Sequence, residues 1–444
     1  MPTLNNTTMP KMNNTAKKKS ITKEMPRYGR RCLGNGIYIS NNTRETHLNN
    51  NDLIIGSAGS CKTGSIVYTQ LKTLRDSSLI VADSKNMLHR MFRDELEKKG
   101  YQVRVLDFVN PEQSCRYNPL AYVRKNTDGS YNEMDIMKIS RSLIPDRMDG
   151  NDPFWAISGR AVLEFFISYA LTALPKEDHN MYTVSCIYRA FLQEMGESAF
   201  IGWIESHPGS FAAKRYAQIR GMRNADRMWS SILGFVNVAL YPFDATDLHY
   251  IFDPHMHKNS GKELDIASIG KEKTVIFLNI SDTDHSIDSL VNLFYTQALQ
   301  TLVAEADQNH NGQLAVPCRI IFDDFAAGTI IPDFDKMISV IRSRDIWVTI
   351  SIQSLSQLES LYSHAQSLTI QNNCDHIVYM GSNDLGSAEY IGTRAGKVPE
   401  EILSMDRTKE YFIEGGKKAL LVDKVPPYSY REEEVQANEE VQAG

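Results

Sequence analysis

Apolar and polar positions change rhythm twice along the chain. Up to residue 124, short and mostly apolar runs alternate with stretches at helical spacing. Asp52–Ile55, Ser78–Ala82 and Val103–Phe108 read as strands, with helices predicted over Lys62–Leu74 and Asn86–Lys99. Strands interleaved with helices imply βαβ units and a parallel sheet. From 125 to 262, the runs Ser158–Leu174, Thr183–Met195 and Ser210–Leu240 keep apolar spacing near the helical period, with little β-branched clustering. Strand-like runs then resume at Lys273–Ile280, Cys318–Phe322, Trp347–Ile352, His376–Met380 and Tyr411–Ile413. The predicted class is α/β: a core with a parallel-rich central sheet over 49–124 and 263–428, interrupted by an all-α insertion over 125–262. Residues 1–48 read as a tail with a lead-in strand, and 429–444 as an acidic tail. The first thirty residues are rich in Asn, Thr and Lys, so they are expected to stay disordered and solvated.

Composition narrows the function classes. With 42% hydrophobic and 23% charged residues over 444 positions, a substantial core is available. The net charge of -6 excludes a chain-wide basic field, so any nucleic-acid contact must be a local patch. Cys32, Cys61, Cys115, Cys186, Cys318 and Cys374 are scattered without a CxxC pair. That pattern reads as reduced thiols rather than a disulfide framework or zinc site. No run of about 18 apolar residues suggests a membrane span, and no apolar leader is visible at the start. The expected location is cytoplasmic, reaching the inner face of a membrane only peripherally.

The candidate chemistry begins in NDLIIGSAGSCKTGSIV, residues 51–67: an apolar strand, a loop of Gly56, Ser57, Ala58, Gly59, Ser60 and Cys61, then Lys62, Thr63 and Gly64 opening a helix. This is nearly the phosphate loop Gly-x4-Gly-Lys-Ser/Thr, with Cys61 in place of the second glycine. Backbone N–H groups of such a loop face phosphate oxygens, the lysine neutralises terminal phosphate charge, and the threonine hydroxyl joins a magnesium shell. Taken alone, the match is matched by an ordinary strand–helix turn. CRIIFDDF supplies a second element, an apolar strand ending in Asp323 and Asp324. Asp323 is placed to bind magnesium and Asp324 to orient or deprotonate water. Gln353, ending Trp347–Ile352, stands where RecA-like motors place a polar sensor of the γ-phosphate. Arg342 and Arg344, expected on the helix before that strand, are candidates for a trans-acting arginine finger.

These segments resemble the TraG-like coupling proteins of conjugative type IV secretion, of the FtsK and HerA class of ring ATPases. The resemblance covers roughly residues 50–425. NDLIIGSAGSCKT, SLIVADSK, the Asn-Pro-Leu segment in GYQVRVLDFVNPEQSCRYNPLAYV, NDPFW, IIFDDFAAGTIIPDFDKMISVIRSRDIWVTISIQSLSQL and NNCDHIVYMGSNDLGSAEYI follow in family order. It implies a RecA-like P-loop core with an all-α insertion, ATP and Mg2+ as cofactors, and a homo-oligomeric ring. The implied partners are DNA, a relaxase and a secretion channel or membrane-anchored partner, since the usual N-terminal membrane helices are not seen. Departures gather at the catalytic positions: Cys61 for glycine, Asp324 for glutamate, Ser84 for proline, and Asn86-Met87 for the Gly-Glu after Lys85. Two functions are therefore expected in competition, an ATP-dependent DNA-pumping motor and a non-hydrolysing adaptor on the same fold.

Overall fold

The computed structural model describes residues 28–145, 153–193, 198–224, 226–256, 263–281, 283–325 and 330–430. Residues 1–27 of the expected N-terminal tail, residues 431–444 of the expected acidic tail, and the Asn151-Asp152 that open NDPFW lie outside the described residues.

A hairpin leads in, β1 (Arg30–Gly34) with β2 (Ile37–Ser40). The nine-stranded sheet holds β3 (Asp52–Ile55), β4 (Ser78–Ala82), β5 (Gln102–Asp107), β6 (Thr274–Asn279), β7 (Cys318–Phe322), β8 (Ile346–Ile352), β9 (His376–Tyr379), β10 (Lys409–Glu414) and β11 (Leu420–Asp423). Their spatial order is β11-β10-β9-β3-β8-β7-β4-β6-β5. β9 through β5 run parallel, while β10 and β11 close one edge antiparallel. Every residue of β3, β4, β6, β7 and β8 is buried, because helices cover both faces. This is the α/β P-loop architecture. β3 is followed in sequence by β4, yet β8 and β7 lie between them, so the chain leaves a crevice above the carboxyl ends of the central strands.

The helices gather between β5 and β6. Glu133–Leu143, Met181–Phe191 and Phe211–Met222 each start at a side-chain cap, from Asn132, Asn180 and Ser210. The stretch read as Ser210–Leu240 is two helices, Phe211–Met222 and Asp226–Asp244. Phe154–Ala173 is long and apolar enough to cross a membrane by length and composition, but 72% of its apolar window is buried inside the fold. Its Phe165 and Phe166 join the same apolar cluster as Ile320, Val348 and Ile350 of the sheet. Helices and sheet therefore share one core.

The amino ends of the strands are tied by a buried charge cluster. Asp52, fully buried in β3, accepts from Arg31 Nη2 at 2.7 Å and Arg319 Nη1 at 2.9 Å. Burial would push this carboxyl up, but Arg31 and Arg319 hold it below the usual carboxylate range. His376 completes the cluster; burial and Arg31 push its pKa down to about 4, so it stays neutral. The hairpin is thus anchored to β3, β7 and β9 by charge as well as by apolar packing.

Candidate functional site

At the opposite, carboxyl edge, register brings the candidate residues level. Ile55 pairs with Ile352 on one side and Tyr379 on the other. The loop leaving β3 continues the ladder, Gly56 N–H donating to the Ile352 carbonyl at 3.0 Å and Ser57 N–H to the Gly381 carbonyl at 2.8 Å. A Cβ on Gly56 would lie 2.4 Å from Ser60 Oγ, so only glycine lets the loop fold back on itself.

The helix predicted from Lys62 begins differently from expectation. Thr63–Val67 form a π-helical turn, and an α-helix follows only over Tyr68–Thr73. Such turns are rare and concentrate at functional sites. Within this one, the Ser65 N–H donates back to the Cys61 carbonyl at 2.8 Å.

The structure brings Lys62, Thr63, Asp323, Asp324 and Gln353 to one cavity of about 350 Å3. The Thr63 hydroxyl donates to Asp323 Oδ2. Lys62 Nζ donates to the Gly56 carbonyl at 2.7 Å and lies 3.5 Å from Asp324 Oδ1. Burial pushes the Asp323 carboxyl up and Asp324 adds to this, while the Thr63 hydroxyl and Lys62 act the other way. Asp323 Oδ1 is buried with no hydrogen-bond partner among the described residues. An orphaned carboxylate oxygen beside a threonine hydroxyl fits a hard divalent cation that takes oxygen ligands. Gln353 is exposed and lines the same cavity, with its N–H held by Gln357 Oε1 at 3.1 Å.

Arg342 and Arg344 stand elsewhere. They lie in a 3-10 turn rather than on the preceding helix, and that turn enters the amino end of β8. Seven residues of strand, roughly 23 Å at 3.3 Å each, separate them from Gln353. Arg344 Nε pairs with Asp307 at 2.8 Å, and Arg342 Nη2 donates to the His47 carbonyl at 3.1 Å.

Three of the positions that depart from the family pattern share one property. Cys61, Asn86 and Asp324 have φ of 71°, 50° and 52°, in the left-handed region. Glycine enters that region freely and asparagine and aspartate with modest strain, but a cysteine there is uncommon. The Cys61 side chain is exposed, its Sγ 3.6 Å from the Gly59 carbonyl.

The segment quoted for the resemblance as SLIVADSK also reaches the site: Asp83, Ser84 and Lys85 after β4 line the cavity, and the Asp83 carboxylate accepts from the N–H groups of Met87, Leu88 and His89. Sequence reasoning missed one group, the segment after β11, Lys424–Tyr428, which crosses the loop. Lys424 Nζ donates to the Met380 carbonyl at 2.8 Å and the Ser60 carbonyl at 3.4 Å. Tyr428 N–H donates to the Gly64 carbonyl at 3.0 Å, and its ring meets Tyr68 edge-on. Pro427 lies so near that a Cβ on Gly64 would be 2.9 Å away.

A phosphate loop beside a carboxylate pair on a mostly parallel sheet defines a RecA-like P-loop protein. Among families, the chain belongs to that of type IV secretory system conjugative DNA transfer, whose model matches residues 2–398. Among solved structures it is similar to the bacterial conjugative coupling protein TrwBdeltaN70, trigonal form with sulphate, at 14% identity over 85% of each chain and a TM-score of 0.63. The plasmid coupling protein TrwB in complex with the GTP analogue GDPNP is similar at 14% identity, over 86% of this chain and 88% of that one, TM-score 0.63. The same protein with the ATP analogue ADPNP gives 14% identity, 86% and 87% coverage, and a TM-score of 0.61. At such identity the likeness speaks for the fold. No curated protein sequence matches the chain.

Proposed function

We propose that this coupling-family protein is an ATP-dependent motor that delivers relaxase-bound DNA to a type IV secretion channel. The observation that carries the reading is the convergence of Lys62, Thr63, Asp323, Asp324 and Gln353 on one cavity at the carboxyl edge of the sheet. Relatives of the same fold are described in complex with GDPNP, with ADPNP, and with ADP and Mg2+. In this chain the loop from Gly56 to Gly64 would hold the phosphates, and Lys62 would leave the Gly56 carbonyl for a terminal phosphate oxygen. Thr63 and Asp323 would hold Mg2+, whose charge neutralises phosphate oxygens as the bond to the leaving group breaks. Asp324 and Gln353, both exposed to the cavity, would orient water. Ring assembly would let Arg342 and Arg344 serve a neighbour's nucleotide, at the cost of the Arg344–Asp307 pair.

Purified protein should hydrolyse ATP with magnesium, faster with single-stranded DNA, and Lys62→Ala should abolish this. A rate unaffected by that substitution would defeat the motor reading.

The second reading, a non-hydrolysing adaptor, is favoured by one observation: Cys61 and Asp324 combine altered side chains with left-handed backbone at the two catalytic turns. It expects relaxase capture without turnover. Turnover that first arises in a Cys61→Gly, Asp324→Glu double variant would support it.

A further inference from the structure

β8 is buried along its whole length, yet it carries two hydroxyls, Thr349 and Ser351, two residues apart and so on one face of the sheet. They are treated differently. The Thr349 hydroxyl is fully engaged at the amino edge, donating to Asp52 Oδ2 and accepting from Arg319 Nη1, both at 3.0 Å. Ser351 is 1% exposed, and its hydroxyl has no hydrogen-bond partner among the described residues. Buried hydroxyls are ordinarily satisfied, so this one calls for an explanation.

Strand register identifies its neighbour. β8 pairs with β3 at Ile54–Ser351 and with β7 at Phe322–Ile350. One step further puts Asp323 beside Ser351. The Phe325 N–H donates to the Ser351 carbonyl at 2.8 Å and folds the Asp323-Asp324 turn back onto it. Residues level on neighbouring parallel strands share a face, so Ile54, Ser351 and Asp323 form one row across the sheet. The turn Thr63–Val67 covers that row, because Ile66 shares a buried cluster with Ile54 and the Thr63 hydroxyl donates to Asp323 Oδ2. Two buried groups without partners are thus neighbours beneath the phosphate loop, Ser351 Oγ and Asp323 Oδ1. Their chemistry is complementary, since a hydroxyl can donate and an ionised carboxylate oxygen only accepts. Burial pushes the Asp323 carboxyl up, and the Ser351 hydroxyl is among the groups that act the other way.

We infer that Ser351 is a positioning residue for Asp323, its hydroxyl donating to Oδ1 and fixing the carboxylate in the orientation that serves the divalent cation of the nucleotide. This rests on the nucleotide reading above and adds to it the group that holds the metal-binding carboxylate from behind. Asp323 completes the bond as it turns to its ligand position. Thr63 then holds one carboxylate oxygen and Ser351 the other, each oxygen keeping a lone pair for the cation or its water. Partners that hold a metal ligand from behind set its orientation, and losing one typically lowers metal affinity about 10- to 100-fold. Thr349 supplies the contrast: the same strand and face, but a hydroxyl already committed to the Asp52 cluster.

Calorimetric titration of the full chain with ATP, with and without magnesium, tests this alongside melting temperature. The unaltered chain should bind ATP more tightly with magnesium than without. Ser351→Ala should lose about tenfold or more of the magnesium-dependent affinity, with metal-free ATP affinity and melting temperature unchanged, because the hydroxyl bonds to nothing else in the fold. Thr349→Val should do the reverse, melting lower while keeping the gain from magnesium. A Ser351→Ala protein that keeps the full gain, one whose loss extends equally to metal-free ATP, or a Thr349→Val protein that loses the gain equally would each overturn the positioning role. An unaltered chain that binds no ATP, or gains nothing from magnesium, would overturn the nucleotide reading itself.

Discussion

The two edges of one sheet handle charge in opposite ways. At the amino edge, Asp52 is fully buried and both of its oxygens are held by arginines. At the carboxyl edge, Asp323 keeps one buried oxygen without a partner, and Ser60 and Ser65 keep unpartnered hydroxyls. Of the seven non-glycine residues with left-handed φ among those described, Cys61, Asn86, Asp324 and Tyr428 flank the crevice. The Asp52 carboxylate is spent on folding, whereas the Asp323 carboxylate keeps an oxygen available to a ligand. A strained turn beside an unsatisfied carboxylate is a common feature of ligand sites.

The sharpest way to break the comparison is to remove one aspartate from each edge. Asp52→Ala strands Arg31 and Arg319 in the interior and should cost about 3–5 kcal/mol in urea unfolding. Asp323→Ala should change stability by less than about 1 kcal/mol while eliminating magnesium-dependent turnover. Equal destabilisation by the two would erase the distinction between the edges. Next in size, Lys62→Ala removes a charge-assisted contact worth about 1.5–3 kcal/mol, so ATP affinity measured by calorimetry should fall roughly 10- to 150-fold.

A pH series sharpens the picture at the antiparallel margin. Glu410 of β10 is buried with both oxygens unpartnered among the described residues, and burial raises its pKa from 4.5 to about 8. A raised pKa means that the folded state binds the proton more tightly. The associated stability is complete below pH 4.5 and is lost as pH rises to about 8. Glu410→Gln should therefore flatten the decline in melting temperature over that interval, and parallel curves for the two proteins would refute this. The smallest expected effect concerns Cys61. Relief of left-handed strain, about 1–2 kcal/mol, is partly offset by glycine's freer unfolded chain, about 0.4–1 kcal/mol. Cys61→Gly should gain roughly 0.5–1 kcal/mol, as read by chemical denaturation, and a loss of stability would show the thiol to be supporting the loop.

Much of this site was legible because its elements are local. The phosphate loop, the Asp323-Asp324 turn and Gln353 each follow a short apolar strand, and strand ends reveal themselves in sequence. What stayed hidden depends on distant contacts. Asp52 reads as one polar residue opening a strand, because the arginines that hold it come from β1 and β7. The Lys424–Tyr428 segment carries no motif, since its place is set by packing on a loop more than 350 residues earlier. The lead-in strand is a hairpin of two short strands, and β11 went unread because it is only four residues long and largely exposed. Arg342 and Arg344 looked helical, but Asp345 turns left-handed at φ 58° and ends the helix in a tight turn. Periodicity also ran through the break between Met222 and Asp226, where apolar spacing continues although the helix does not.

The central claim is that the carboxyl-edge crevice is a nucleotide site built around Lys62. Calorimetric titration of the full chain with ATP in the presence and absence of magnesium, repeated on Lys62→Ala, tests it most directly. Saturable, magnesium-dependent binding that the substitution weakens at least about tenfold is the predicted result. Absence of saturable binding, or equal affinity in the two proteins, would contradict it.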